Sequence, residues 1–373
     1  MNILKVLFCS PHLSSEDVVK GGINTWGRYI IGYAAEDGKS DAELIPISFD
    51  RHISSSEGKT ILGRIYTGVK AYRVPIKDAI SSMKDSNSDV IHLCTSAGFG
   101  LLRDLILLRK AKQLGIKSVV HFHFGRIPEL KQQNNWEWKL ICKAIKLCDL
   151  VVVMNRPSEK TLLEVGFTNV KYLPNPLPMN VLKRIDELKK NYKRVPHRLL
   201  YAGHVIKTKG VYELVEACAQ IPDIELRIVG KCLPDVESEL KAIASAKNQG
   251  EWLNIVGEVD HERVLTELLQ ADLFVFPSYT EGFPNVILEA MACECPIVSS
   301  DVGAIPEMLD IEGNSCGICF KPRSESQVLN SIALIIDDDR IKANLVSNAL
   351  TRLNAEYTMH KVWSELVNIW KTA

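Results

Sequence analysis

The sequence predicts an α/β protein of two doubly wound, parallel-sheet domains that face each other across a cleft. Three observations lead there. A length of 373 residues exceeds one ordinary core and suits two of roughly 150–200 residues. Apolar residues at 46% and charged residues at 24% give each domain enough to bury. Throughout, short β-branched apolar runs alternate with longer amphipathic stretches, as in strands covered on both faces and separated by helices.

Taken in order, the strand-like runs of the first half are "ILKVLFC", "VIHLC", "KSVVHFHF", "LVVVMN" and "VKYLPN". Those of the second are "RLLYAG", "ELRIVG", "LNIVGEV", "LFVFPS" and "PIVSSD". They divide into two Rossmann-like sheets of five. The charged stretch "MNVLKRIDELKKNYKRVPHR" has no strand pattern, so the boundary is expected near residue 185, giving domains 1–185 and 186–355. In "EYTMHKVWSELVNIWKTA" Trp363 and Trp370 lie seven apart and share a helix face. That helix, 356–373, is expected to pack back on the first domain. The opening "MNILKVLFCSPH" breaks at Pro11 and reads as a strand rather than a signal peptide. No run approaches the ~18 apolar residues of a membrane span, so a cytoplasmic protein is expected.

Lysine plus arginine total 45, as do aspartate plus glutamate, which argues against a nucleic-acid partner. The balance hides an asymmetry: residues 1–180 carry 24 basic and 17 acidic side chains, the remainder 21 and 28. Part of the basic excess lies in "RDLILLRKAKQLGIK" (Arg103, Arg109, Lys110, Lys112, Lys117), at helical spacing. A solvated helix face explains it. Contact with an anionic acceptor, or peripheral contact with a membrane surface, stays open beside that reading. The ten cysteines mostly sit in apolar runs, as reduced core thiols do. "CEC" and "CGIC" offer four thiolates but poor zinc spacing, so no metal is expected.

Residues 273–307, "LFVFPSYTEGFPNVILEAMACECPIVSSDVGAIPE", are the most informative. A buried strand ends at Pro277, a polar loop carries Glu281 and Gly282, and a helix runs through Val286 to Cys293. A helix amino terminus offers unpaired N–H groups and partial positive charge, which suit a diphosphate. Carboxylates beside it suit hydroxyl groups, here of a sugar and a ribose. Lys209 in "AGHVIKTKG" stands before a helix starting near Gly210, where a cation neutralises charge on a departing diphosphate; a solvated lysine is the plain alternative. Gly21 and Gly22 open a helix where backbone can approach a phosphate, or simply make a turn. His121 and His123 share one face at a strand end, as cleft residues or as structural histidines. Asn175 reads as a turn-former.

Together these segments resemble the signature of the retaining glycosyltransferases of family 4, which have the GT-B fold. The resemblance runs over nearly the whole chain and includes "GGINTWGRYI", "VVHFHFG", "KYLPNPLP", "LLYAGHVIKTKGVYELVEA" and "NIVGEVDHERVLTELLQADLFVFPS". It implies transfer from a nucleotide-sugar donor, UDP- or GDP-linked, to a saccharide or lipid-diphosphate-linked acceptor. No cofactor and no metal are implied. Glu289 would hydrogen-bond the ribose, and Glu281 would lie beside the donor sugar. Backbone N–H groups of Gly282, Phe283, Asn285 and Val286 would serve hydroxyls and phosphates, with Lys209 on the diphosphate. Gly21 and Gly22 would come near the donor phosphates and the acceptor, and His123 would hydrogen-bond a sugar hydroxyl or steady positive charge at the anomeric carbon. In the family an arginine usually follows the glycine that is Gly203 here; this chain has His204, so either a protonated His204, Lys207 or another cation substitutes, or the phosphate grip is weaker. "EGFPN" is similar to the version in enzymes of bacterial surface polysaccharide synthesis. Residues 48–68 suit an acceptor wall. The rivals are an epimerase of the same architecture and a non-catalytic sugar-binding protein; a dehydrogenase lacks its G-x-G-x-x-G here.

Overall fold

The computed structural model describes residues 3–11, 13, 22–49, 61–247, 251–310 and 313–373, with the side chains of 22 and 61–72 left aside. Gly21 and most of the expected acceptor wall, residues 50–60, lie outside the described residues. The chain separates into two units: residues 1–176 with 359–373, and Leu177–Thr358. The charged helix Met179–Leu188 therefore belongs wholly to the second unit. It buries Val181, Ile185 and Leu188 and is tied by Arg184 to Glu262 at 2.6 Å.

The first unit is built on six parallel strands: β1 (Leu4–Ser10), β2 (Ala42–Ser48), β3 (Val90–Thr95), β4 (Lys117–Phe122), β5 (Leu150–Val153) and β6 (Val170–Tyr172). Their order is β2-β1-β3-β4-β5-β6. Alternate residues of each strand enter opposite cores. Leu7, Cys9, Ile91, Leu93, Val120 and Phe122 face one; Val6, Phe8, Val90, Cys94 and Val119 face the other.

The second core is closed by the helix Gly22–Ala35 and by the C-terminal helix Met359–Thr372. The latter buries Met359, Val362, Trp363, Leu366, Val367, Ile369 and Trp370, so the last helix of the chain covers the first sheet. Trp363 Nε1 donates to Asp41 at 2.9 Å and Trp370 Nε1 to His92 Nδ1 at 3.0 Å. Both indoles of this helix thus find an acceptor.

The second unit has β7 (Arg198–Ala202), β8 (Glu225–Val229), β9 (Leu253–Gly257), β10 (Leu273–Phe276), β11 (Ile297–Ser300) and β12 (Ile318–Phe320). All are parallel, in the order β12-β11-β10-β7-β8-β9. Each sheet has one strand more than the sequence reading expects. Both additional strands, β2 and β12, lie at sheet edges. The segment "AELIPIS" is only half-buried and contains Pro46, which an edge strand tolerates; "ICF" is three residues long. Neither carries the continuous apolar run of an interior strand. All ten cysteines are unbridged. Among the described residues, no group of three His, Cys, Asp or Glu side chains is placed to hold a metal ion.

Trp370 joins the terminal helix to the centre of the first sheet. Trp370→Ala should therefore lower the stability of that unit by ~3–5 kcal/mol, the usual cost of truncating a buried aromatic, as read from urea unfolding.

Candidate functional site

In the second unit the chain steps outward from β7 through β8 to β9, then returns to place β10 on the other side of β7. Loops leaving β7 and β10 consequently diverge, and a crevice at such a switch point is where open α/β sheets bind ligands. Lys209 lies on the first of these loops and Glu281 and Gly282 on the second.

After β7 the backbone makes one 3₁₀ turn, Lys207–Lys209, before the helix Val211–Cys218. Gly210 separates them with φ +70°, and a Cβ there would stand 2.1 Å from the Pro277 carbonyl oxygen. Only glycine permits both the left-handed backbone and that approach. On the other side Gly303, φ +59°, brings its Cα so close that a Cβ would be 2.1 Å from the Glu281 carbonyl oxygen. Between these glycines the loop after β10 is fixed by hydrogen bonds. Tyr279 N donates to Thr208 O at 3.0 Å, Ala304 N to Gly282 O at 3.1 Å, and Ser300 Oγ to Ser278 O at 2.5 Å.

This loop presents Glu281 to Lys209, whose Nζ donates to Oε1 at 2.5 Å. Lys209 is 25% and Glu281 13% exposed, so the pair is shielded without being sealed. An ammonium has three donors, and Glu281 occupies one. Phe276 lies beneath the lysine, 6.0 Å from ring centroid to Nζ, and stacks on Tyr201. Burial, and then the charge of Glu281, push the Tyr201 hydroxyl up. That hydroxyl donates to His204 O at 2.8 Å. The side chain of His204 itself is exposed. The Gly203 N–H is committed to Val229 O at 2.9 Å.

The helix Asn285–Ala292 follows Pro284 without a side-chain cap, leaving its first amides to other partners. Phe283 turns its ring into the core against Tyr357, so only its backbone faces the loop's chemistry. Val286 is half-buried. Glu289, one turn further, accepts from His261 Nε2 at 2.8 Å. His261 opens the helix His261–Gln270, capped by Asp260, and its pKa is raised chiefly by the Glu289 hydrogen bond. Both carboxylates, eight residues apart, are thus held by a donor from a different element: Glu281 by Lys209, Glu289 by His261. His261 and Tyr201 are absent from the sequence reading. The signal for His261, a histidine directly after an N-capping aspartate, is too common to single out.

In the first unit Gly22 is the first residue of the helix Gly22–Ala35. His123 follows β4, its N–H donating to Thr95 O at 2.9 Å. Its ring lies 3.9 Å from that of His121 and 4.7 Å from that of Trp26, while His92 stands 5.5 Å from His121. The ring nitrogens of His121 and His123 are enclosed and have no hydrogen-bond partner among the described residues. Burial pushes His92 and His123 down to about 3, and His121 well below its ordinary value. The cluster is therefore neutral at pH 7. Asn175 is buried at the end of this unit.

Two doubly wound parallel sheets of this kind make the chain a GT-B protein. The fold superposes on sucrose-phosphate synthase from Thermosynechococcus elongatus with a TM-score of 0.73, 20% identity, and 99% and 98% of the two chains covered. A structure of Anabaena Alr3699/HepE in complex with UDP gives 0.70 at 18% identity, covering 99% and 100%. Residues 183–352, within the second unit, match the family of glycosyl transferases group 1. Curated relatives include the putative teichuronic acid biosynthesis glycosyltransferase TuaC of Bacillus subtilis, 22% identical over 66% of this chain and 62% of its own. The amylovoran biosynthesis glycosyltransferase AmsK of Erwinia amylovora is 29% identical over 70% and 65%. The matches span somewhat less than two thirds of the length of these two relatives.

The histidine cluster sets a pH dependence. Because the folded pKa values lie near 3 and the unfolded ones near ~6.5, only the unfolded state takes up protons between them. Stability of the first unit should be complete above pH ~6.5 and fall by ~1.4 kcal/mol per histidine per pH unit below it. Thermal unfolding at pH 7, 6 and 5 measures this, and His121→Phe should make the decline shallower.

Proposed function

We propose that the chain moves a sugar from a nucleotide-sugar to a saccharide or lipid-diphosphate-linked acceptor, with retention at the anomeric carbon and without a metal or cofactor. The observation that carries the reading is the Lys209–Glu281 pair clamped at the switch point of a group 1 glycosyl transferase domain, beside an uncapped helix amino terminus. Lys209 and the first amides of Asn285–Ala292 hold the diphosphate. Glu289, fixed through one oxygen by His261, keeps the other for ribose hydroxyls. Glu281 and the Gly282 backbone attend the donor sugar. His123, being neutral, supplies a hydrogen bond to a hydroxyl and no charge.

As the anomeric bond breaks, the bonding pair leaves with the diphosphate. The departing phosphate oxygen takes the acceptor's proton while the acceptor oxygen bonds the anomeric carbon. Preorganised charge at the leaving group is the chief contribution of the protein. The UDP in the Anabaena structure supports a uridine nucleotide. The teichuronic acid and amylovoran roles in the names of the relatives support surface polysaccharide synthesis. Contact of the basic first unit with a lipid surface, where a lipid-linked acceptor resides, belongs to the same proposal. The relatives are glycosyltransferases, and none of those compared speaks for an epimerase.

Thermal shift with UDP, GDP and their sugars should select one nucleotide, since a ligand of the folded state raises Tm with its affinity. With that donor, Lys209→Ala should lower kcat by ~10²–10³-fold, the scale for losing one preorganised donor to developing charge. Glu289→Ala should raise the donor KM. Near-normal kinetics in both variants, or an isomerised donor formed without acceptor, would overturn the assignment.

A further inference from the structure

Two helices of the first unit, Gly100–Leu114 and Trp136–Leu147, bury one side each in the same core and leave the other bare. The bare sides are not what solvated helices usually present. Phe99, at the N-cap of the first helix, is 69% exposed, and Leu102 and Ile106 are 45% and 43% exposed. The spacing of these three puts them on one stripe. Trp136, the first residue of the second helix, is 50% exposed and stacks on Phe99 at 5.1 Å and 25°. An exposed, mutually stacked aromatic pair therefore stands at the N-terminal ends of both helices.

Past the aromatic end the same surfaces turn basic. Arg109 and Lys112 are exposed on the first helix, and Lys139, Lys143 and Lys146 on the second. Lys139, Lys143 and Lys146 follow Trp136 at helical spacing and continue its stripe. The only acids of the two helices, Asp104 and Glu137, are buried. Arg103 neutralises the first at 2.7 Å and Arg126 grips the second with two bonds of 2.7 and 2.8 Å. The exposed charge of this face is all of one sign.

We propose that this face is a docking surface for an anionic lipid bilayer, with Phe99, Trp136, Leu102 and Ile106 entering the interface and the lysines and arginine over the headgroups. Amphipathic aromatic rings settle at the boundary between hydrocarbon and water. Basic side chains beside them add attraction to a negative leaflet. A second copy of the chain fits poorly, because a two-fold contact would bring the same basic stripe against itself. No helix among the described residues is long and apolar enough to cross a membrane, so the contact is peripheral. Phe99 lies just past the end of β3, at the same edge of the sheet as His123. A lipid-borne group would be presented at that edge. The inference deepens the lipid-surface part of the reading above.

The test is co-sedimentation of the full chain with vesicles of phosphatidylcholine alone, or containing one third phosphatidylglycerol, without donor. Binding to the anionic vesicles and not to the neutral ones is expected, with release at high salt. A Phe99→Ala/Trp136→Ala variant and a Lys139→Glu/Lys143→Glu/Lys146→Glu variant should each weaken binding at least tenfold. Circular dichroism and UDP or GDP thermal shifts should stay as in the parent. Absence of binding to anionic vesicles, equal binding to neutral ones, or binding indifferent to both variants overturns the proposal. So does loss of a dimer in solution as the only effect of the variants. Because vesicle binding is read without transfer, its failure leaves the donor reading standing, and the reverse holds too.

Discussion

A parallel sheet has no face it can leave to water, because its crossovers place helices on both sides and its strands are apolar throughout. Most of what is particular to this chain follows from that constraint. In the first unit one face of β1, β3 and β4 carries Val6, Phe8, Val90 and Val119, and the helix Gly22–Ala35 shares their cover with the C-terminal helix. The chain returns after Thr358 to complete the cover with Trp363 and Trp370. The same face holds His92, His121 and His123 together, so burial first, and then the neighbouring imidazoles for His121 and His123, sets their protonation.

The constraint also gathers the chemistry at one edge. With every strand of a sheet pointing the same way, the loops at their carboxyl ends share a rim, and a reversal of strand order opens that rim. In the second unit the reversal falls between β7 and β10. Glycines at 210 and 303 let the backbone close around the loop bearing Glu281, and Ser300 ties that loop from below. Rigid backbone here means that Lys209 and Glu281 meet without a search. The half-exposed His261 then does for Glu289 what Lys209 does for Glu281. A carboxylate taken partly out of water is costly unless a donor compensates it, and each has one.

Much of the fold was legible in the residues. Ten of the twelve described strands fall on runs that read as strands, eight of them interior strands, which in a parallel sheet must be apolar on both faces. The two that do not, β2 and β12, are edge strands, where a proline or a three-residue pairing suffices. Helix 359–372 shows its seven-residue tryptophan spacing openly. In the site, Lys209, Glu281 and Glu289 stand out through the resemblance of their segments to a family signature, since a lysine before a helix or two glutamates eight apart would by themselves signal nothing. Tyr201 and His261 do not, since their meaning lies in contacts across 80 and 28 positions of sequence, to Glu281 and Glu289. The bare aromatic pair was hidden for a different reason. Phe99 and Trp136 sit in apolar segments that read as core, and composition cannot tell an exposed ring from a buried one.

Sequence alone determined the class of the fold, the strands of both interiors and the chemical character of the loops after β7 and β10, since periodicity and glycine placement are local properties of the chain. Tertiary structure decided which cation meets which carboxylate, which histidines lose their charge, and which helix faces remain in water. Those are set by pairings between distant segments and by the shielding each receives, and neither burial nor an electrostatic partner is written in any short stretch of residues.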